Sequence, residues 1–394
     1  MTPAARISAA IEVLGRVFDG LPAEQALTRW ARGARYAGSK DRAAVRDHVF
    51  QALRCRRSYA ALGGGADGRA VMIGALRADG ADPATLFTGE GHAPAPLTED
   101  EWGMPDVTLS EAEDADLPDW LWRVFEEDLG GQAKAQAQAQ TSRAPVAMRV
   151  NLKIKNASQA IEILKDDGIE AHRVDGLDIA LIATEGARRI RGSKAYLSGL
   201  VELQDVSSQS AMGRITLPLG ARVLDYCAGG GGKTLALAAM VPAGPPHAQF
   251  FAYDADPGRM TDLPSRAARA GVKVAVLEAG DIARHAPFDV VLCDVPCSGS
   301  GTWRRSPEAK WKLTLDRLQN LIDIQRDILH SSSNLLAAGG QLIYTTCSIL
   351  NRENAAQIDA FCQTYPEFER QDQHHWPVTD TGDGFFFASM IRRN

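Results

Sequence analysis

Two cysteines lie beside short signatures rich in small and polar residues. Cys297 falls in Asp294-Val295-Pro296-Cys297-Ser298-Gly299, and Cys347 in Tyr344-Thr345-Thr346-Cys347-Ser348. Upstream, Asp225-Tyr226-Cys227-Ala228-Gly229-Gly230-Gly231-Gly232-Lys233-Thr234 follows an apolar run. An ionised thiol is a strong nucleophile, and glycine lets a backbone approach a ligand closely. Together they suggest group transfer through a covalent adduct, with methyl transfer to a base carbon as the chemistry that needs one. A cytosine ring carbon is a poor nucleophile toward a methyl sulfonium. Addition of a thiolate at carbon 6 makes carbon 5 enamine-like, and a base must later remove the carbon 5 proton before the adduct can eliminate. Two thiols facing one pocket could divide these tasks, and residue types alone leave open which does which. Asp294 could hydrogen-bond ring nitrogen 3 and the exocyclic amine. Thiols near strands are usually core residues; Cys227, Cys293 and Cys362 keep that reading.

The glycine loop nearly satisfies a phosphate-binding pattern at Gly232-Lys233-Thr234, but the first glycine of that pattern would fall at Cys227, which disfavours a nucleoside triphosphatase. Asp225 closes one strand, and Asp254 and Asp281 follow later ones. Read singly, each acid is as readily a helix cap or turn residue. As an ordered set, Asp254 could bind a ribose diol and Asp281 a base amino group across a sheet crevice.

The elements that would position these residues alternate. Strands are expected at 221–224, 250–253, 272–277, 290–293, 340–344 and 384–390, with helices at 233–240, 257–270, 315–337 and 353–364. This rhythm predicts an α/β domain, Rossmann-like and doubly wound, with a mostly parallel sheet. A small α/β or α+β module precedes it, with strands at 146–150, 177–182 and 200–204 and a helix at 157–167. The first 80 residues read as helices at 3–18, 22–35, 40–62 and 69–78, the third capped by Ser39. Residues 88–117, rich in Gly, Pro, Asp and Glu, read as a linker before helices at 118–129 and 133–140. The expected domains are 1–87, a helical RNA-binding domain; 88–144, the acidic linker and connecting helices; 145–205, the small RNA-binding module; and 206–394, the catalytic domain.

The net charge of -6 over 394 residues gives no global nucleic-acid signal. Charge is segregated instead. Residues 1–80 are arginine-rich, and 81–128 are strongly acidic. Arg42, Arg46 and Arg54 on the helices, and Arg188, Arg189, Arg191 and Lys194 in the small module, are candidate phosphate contacts. Six cysteines without a CxxC pair do not suggest a zinc site, so no metal is expected. The chain carries no secretory or membrane-spanning signal. A reducing cytoplasm, no membrane and no obligate protein partner are the expectations.

These motifs resemble the Sun family of S-adenosylmethionine-dependent RNA cytosine-5 methyltransferases over roughly 145–394. Asp225 to Thr234 resembles the family's cofactor loop, Asp254 and Arg259 its second motif, and Asp281 its third. Asp294 to Gly301, continuing into Arg305-Ser306-Pro307 and Trp311, is a specific match, as is Tyr344 to Ser348 followed by Glu353-Asn354. Leu203 to Ser210 resembles the segment entering the catalytic sheet, and Asp383 to Ala388 the last strand. The loop departs from the family at Gly229-Gly230, where proline and alanine are usual, so a less rigid loop is expected.

The resemblance implies S-adenosylmethionine as cofactor, held by Asp225, Cys227, Ala228, Gly229, Gly230, Gly231, Gly232, Lys233, Asp254, Arg259, Asp281 and Asp294. It implies Cys347 as the nucleophile and Cys297 as the residue assisting product release, with Lys233 and Asp294 organising cofactor and substrate. DNA cytosine-5 methyltransferases use the cysteine of the proline-cysteine motif instead, and are the nearest catalytic alternative. The N-terminal helices are similar to the NusB-like domain of bacterial 16S ribosomal RNA methyltransferases in the family, which implies RNA, and 16S ribosomal RNA in particular, as substrate. Transfer RNA is the alternative substrate, and a noncatalytic ribosome-assembly factor the alternative class.

Overall fold

A computed structural model describes residues 1–102, 107–241 and 245–393. Positions 103–106 of the expected linker lie outside the described residues. The chain divides into two units: Met1–Arg143 with Trp303–Leu315, and Ala144–Thr302 with Asp316–Asn394.

The first unit is helical. Its leading helices are α1 (Pro3–Phe18), α2 (Ala23–Gly33), α3 (Ser39–Arg54), α4 (Arg56–Gly63) and α5 (Gly68–Ala78). Pro3 opens α1, where a missing N–H costs nothing, and Thr2 caps it by accepting from the Ala5 amide at 3.2 Å. Val13, Leu14, Val45, Val49, Val71 and Ile73 are buried together in its core. Ser39 is not the cap of α3. Gly38 occupies that position and Ser39 is the first helical residue; the Asp41 carboxylate reaches back to the Gly38 amide. The single helix expected over 40–62 breaks at Cys55 because Asp116 takes the Arg57 and Ser58 amides and the Ser58 hydroxyl, capping a new helix from a distant part of the chain.

Trp303–Leu315 completes this unit. Trp303 stacks on Phe125 with ring centres 5.8 Å apart. The Trp311 indole donates to the Leu53 carbonyl and the Lys310 ammonium to the Arg54 carbonyl, each at 2.7 Å. Burial drives Lys310 down to about 8, against the opposing pull of Asp116.

The second unit holds two sheets. The first contains β1 (Val146–Val150), β2 (Glu170–Val174), β3 (Leu177–Glu185) and β4 (Val201–Leu203), in antiparallel order β2-β3-β1-β4. Ala160 and Leu164 of the helix Ala157–Asp166 pack against Met148, Val150 and Leu181. The edge strand β2 was not anticipated, because its residues are largely polar and exposed.

The second sheet is seven-stranded, in the order β10-β11-β9-β8-β5-β6-β7. Its strands are β5 (Arg222–Asp225), β6 (Gln249–Ala252), β7 (Val274–Val276), β8 (Phe288–Asp294), β9 (Leu336–Thr346), β10 (Phe368–Trp376) and β11 (Phe385–Arg392). The strands β5 to β9 run parallel, while β11 is antiparallel to both β9 and β10. Leu224, Val291 and Leu342 face one buried layer, and Val223, Val290 and Ile343 the other. That two-sided burial is why these strands read as apolar runs. The helix expected over 257–270 is split: a 3-10 turn at Pro257–Met260 precedes a helix at Leu263–Ala270 that Pro264 can only open, having no N–H to donate. The long helix ends at Ser333, and the next strand begins at Leu336, earlier than expected.

Among the described residues no helix is long and apolar enough to cross a membrane.

Candidate active site

From β5 the sheet is laid down outward in one direction through β6 and β7, and in the other through β8 and β9. Neighbouring β5 and β8 thus form a topological switch point, where open α/β sheets bind ligands at the carboxyl ends of their strands. A cavity of about 310 Å³ opens there, lined by residues that include Asp225, Gly229, Lys233, Asp294, Cys347 and Phe385.

The glycine loop leads from β5 into the helix Gly232–Met240. Gly231 sits at φ +74, and a Cβ there would lie 2.0 Å from a Leu263 methyl, so only glycine fits. The loop is pinned at successive points, which restrains the freedom expected of four glycines. The Gly229 amide donates to Asp254 at 2.9 Å, the Gly230 carbonyl accepts from Arg266, and the Gly231 amide donates to the Ala228 carbonyl at 2.8 Å. Cys227, Ala228, Gly230, Gly232 and Arg259 also line the cavity. Burial pushes the Cys227 thiol far up, so it stays protonated.

The acids serve different ends. Asp225 is 2% exposed; one carboxylate oxygen accepts from Thr234 at 2.6 Å and the other, Oδ1, has no partner among the described residues. Burial raises it to about 6, against the Thr234 hydrogen bond. Asp254 lies beneath the loop, taking the Gly229 and Asp256 amides and pairing with Arg259 at 3.2 Å. Asp281 does not line the cavity; its carboxylate pairs with Arg284 at 2.9 Å.

Asp294 ends β8, opposite Thr345 of β9. One of its oxygens accepts from Thr345 at 3.1 Å, and the other meets the Lys233 ammonium at 2.6 Å. Burial works against the charge of Lys233, but Asp294 more than compensates and holds the ammonium above its ordinary range. Lys233 also lies 5.2 Å above the Phe385 ring.

The sulfurs of Cys297 and Cys347 are 3.4 Å apart. Parallel pairing of β8 and β9 brings their strand ends together, so residues 50 positions apart in sequence become neighbours. Gly301 locks the two loops. Its amide donates to the Cys347 carbonyl and its carbonyl accepts from Gly384, both at 2.9 Å, and a Cβ there would meet the Gly384 oxygen at 2.3 Å. The pair titrates as a unit. The hydrogen bond from Cys297 lowers the Cys347 thiol, against burial and the Asp294 charge and with help from Lys233. The same hydrogen bond, then burial, raises Cys297. Beyond that shared bond, the Lys233 ammonium favours an anion on Cys347, and the Glu353 charge disfavours one on Cys297.

Beneath the two sulfurs lies a buried polar network that sequence reasoning did not assign. Glu353, fully buried, accepts from the Ser298 amide at 2.8 Å, the Ser298 and Ser348 hydroxyls at 2.5 Å each, and Gln325 at 3.0 Å. Asn354 accepts from Thr346 and donates to the Ser348 carbonyl. The available signal was polar residues concentrated directly after each cysteine. Gln204, Asp205, Ser208 and Asp383 also line the cavity; their segments were recognised by resemblance, without roles.

The candidate RNA-contacting residues separate. Arg54 is corrected: it is 7% exposed and donates to the Arg304 carbonyl at 2.7 Å, which makes it a structural group inside the helical unit. Arg46 is exposed but paired with Glu24, and exposed Arg42 donates to the Ala37 carbonyl. Arg188, Arg189, Arg191 and Lys194 are all exposed, on or beside the 3-10 segment Ala187–Gly192. Arg305-Ser306-Pro307 and Trp311 belong to the helical unit, outside the cavity lining.

The glycine cradle, the unpartnered Asp225 oxygen and the adjoining Asp294–Lys233 pair suit a cationic nucleoside sulfonium. A methyl-donor loop at a Rossmann switch point, joined to an adjacent pair of sulfurs, defines an S-adenosylmethionine-dependent RNA cytosine-5 methyltransferase. Residues 216–391 match the family described as 16S rRNA methyltransferase RsmB/F, and residues 117–188 match its ferredoxin-like domain. The chain belongs to this family. It is 33% identical over 304 residues to ribosomal RNA small subunit methyltransferase B of Klebsiella pneumoniae (strain 342), covering 73% of this chain and 69% of that one. The corresponding protein of Xanthomonas campestris pv. campestris is 32% identical over 309 residues, covering 74% and 69%. In fold, the chain is similar to the crystal structure of PH0851, with a TM-score of 0.76, 24% identity and 99% of each chain covered. It is also similar to NSun6 from Pyrococcus horikoshii with SFG, with a TM-score of 0.60, 16% identity, and 70% of this chain and 98% of that chain covered.

Asp254→Ala removes the acceptor that holds the Gly229 amide. A hydrogen bond to a charged acceptor is worth about 1.5–3 kcal/mol, so S-adenosylmethionine affinity should fall roughly 10- to 100-fold while RNA affinity stays. Calorimetry on the folded variant checks this, and wild-type cofactor affinity would refute the role.

Proposed function

We propose that this enzyme methylates small-subunit ribosomal RNA in the cytoplasm, with Cys347 as nucleophile and Cys297 as the base that releases product. The observation that carries the cysteine roles is the 3.4 Å sulfur pair with Lys233 on the Cys347 side. The relatives' names and the arginine-rich helical unit support the substrate class. Free cysteines throughout suit a reducing compartment.

Asp225, the loop from Cys227 to Gly232, Lys233 and Arg259 would hold S-adenosylmethionine, which supplies an electrophilic methyl group. A target cytosine that begins stacked or paired must be extruded to reach the cleft. Asp294, fixed by Thr345 and Lys233, orients the ring by accepting from the exocyclic amine, and from nitrogen 3 once that nitrogen takes up a proton in the adduct. Cys347 adds to carbon 6, making carbon 5 nucleophilic. Once the Cys347 sulfur is a thioether, the neighbouring anion that kept Cys297 protonated is gone. Cys297 can release its own proton to solvent and take the proton from carbon 5. Cys347 then leaves as a thiolate, and one proton has been released overall.

The helical unit supplies an RNA-holding surface different from the one first expected. Arg32, Arg35 and Lys40 are exposed around the α2–α3 connection, beside Tyr36, which is 71% exposed. The exposed Arg188, Arg189, Arg191 and Lys194 form a second basic cluster. Phosphate contacts release counterions, at roughly 0.7–0.9 of a unit in the log–log salt slope per contact. Combined alanine replacement of Arg32, Arg35 and Lys40 should lower that slope by about 2 and weaken RNA affinity, with cofactor affinity unchanged. An unchanged slope would remove this surface from the footprint. The substrate itself is tested by mapping 5-methylcytosine in RNA from matched deletion and wild-type cells. Loss of one 16S cytosine methylation is expected, whereas loss confined to transfer RNA would overturn the assignment.

A further inference from the structure

We propose that Glu353 is a positioning residue that clamps the two cysteine loops together and so sets the register of the reacting sulfurs. This rests on the cysteine roles proposed above. Glu353 is a fully buried carboxylate with no place on the cavity wall, so it does not touch substrate or cofactor. Its hydrogen bonds nonetheless converge on the chemistry. Ser298 directly follows Cys297, and Ser348 directly follows Cys347. Glu353 takes the amide and hydroxyl of the first and the hydroxyl of the second.

Two further contacts close the clamp. Gln325, from the helix Leu315–Ser333, donates both to Glu353 at 3.0 Å and to the Pro296 carbonyl at 2.9 Å, gripping the Cys297 loop from its other side. The Tyr344 hydroxyl donates to the Glu353 carbonyl at 2.6 Å, tying the 3-10 turn Asn351–Glu353 to β9, the strand that carries Cys347. Ser300 meets Ser348 at 2.8 Å, and the Ile349 amide donates to Ser300. Each cysteine loop is thus held to the other through one carboxylate and its neighbours. Burying a charge is costly unless several donors satisfy it. An apolar core would have served packing alone, whereas a carboxylate with four directed donors fixes where both loops sit. A misplacement of about 1 Å costs on the order of 100-fold in catalysis, which is the reason to hold this pair so rigidly.

The clamp predicts a split that general destabilisation would not produce. Ser348→Ala loosens the Cys347 loop and should slow adduct formation about tenfold or more. Ser298→Ala loosens the Cys297 loop and should slow adduct formation less than Ser348→Ala does, while slowing adduct release about tenfold, so that methylated adduct accumulates. Glu353→Gln keeps the shape but loses the charge, and should lower kcat at least as much as either serine variant. KM for S-adenosylmethionine should stay within twofold in all three. Adding Ser298→Ala to Glu353→Gln should cost little more, because both cut the same contact. Single-turnover assays with 16S ribosomal RNA, read on denaturing gels and paired with cofactor calorimetry, measure these quantities. Wild-type adduct formation and release in both serine variants would overturn the clamp. So would cofactor affinity falling in step with kcat, which marks a loss of general structure. If Glu353→Gln does not fold, the two serine variants decide the matter alone. If the unmodified enzyme forms no adduct, the cysteine roles fail instead.

Discussion

Cys347→Ser is expected to abolish the covalent RNA complex and to lower turnover on the order of 10⁴-fold or more, the scale seen when a covalent enzyme loses its nucleophile. A serine hydroxyl is neutral at physiological pH and a far poorer nucleophile than a thiolate. Its site would not repair that deficit. The Cys297 hydrogen bond and the Lys233 ammonium favour the ionised form of a thiol, but they leave a hydroxyl protonated. Cofactor binding should be nearly unaffected, because the loop Cys227–Gly232 and its Asp254 and Arg266 contacts do not involve Cys347. In the unmodified enzyme, adduct formation should rise with pH as the sulfur pair first ionises, below the ordinary range of a thiol. The sign follows from the thiolate being the reactive form, and the lowered Cys347 places that rise early. Rapid-quench adduct yield against pH, with and without the substitution, measures both effects. A Cys347→Ser enzyme that still forms adduct would refute the assignment.

What could be read from the sequence divides along physical lines. The parallel strands β5, β6, β8 and β9 were legible because both of their faces are buried, so apolar residues run continuously between turn signals. The edge strands β2 and β10 were not, since Glu170–Val174 and Phe368–Trp376 are mostly polar and owe their conformation to pairing with β3 and β11. The break at Cys55 depends on Asp116, some sixty residues away, and local periodicity carries no trace of it. Arg54 shows the same limit for charge. Its place in an arginine-rich segment suggests a basic surface, yet its carbonyl partner Arg304 arrives from another region of the chain. At the site, the residues proposed to do chemistry stand out in the sequence because their types are unusual where they stand. The supporting groups, Glu353, Ser298, Ser348 and Gln325, are ordinary residues whose roles exist only once β8 and β9 are paired.

Cys297→Ser should have the opposite phenotype from Cys347→Ser. The nucleophile is retained, with Lys233 still beside it, so the adduct should form, although more slowly because the serine hydroxyl is a different hydrogen-bond donor from the thiol. Carbon 5 remains able to take the methyl group. What is lost is the base. A serine alkoxide is not accessible near neutrality, so the proton on carbon 5 stays and elimination stalls. Methylated RNA should accumulate as a slow-migrating complex on a denaturing gel, with release slowed roughly 100-fold or more, within the usual 10²–10⁴ range for a lost general base. Digestion of the trapped complex and mass spectrometry of the attached base should find the methyl group in place. Trapping by Cys347→Ser and none by Cys297→Ser would reverse the roles, giving the arrangement of the DNA enzymes, in which the cysteine of the proline-cysteine motif attacks. The 3.4 Å separation makes either order sterically open to the pair. The decision rests on electrostatics: Lys233 favours the anion on Cys347, against the opposing charge of the Asp294 it holds, and Glu353, buried behind Ser298, adds to the influences that keep Cys297 protonated until the first sulfur has reacted.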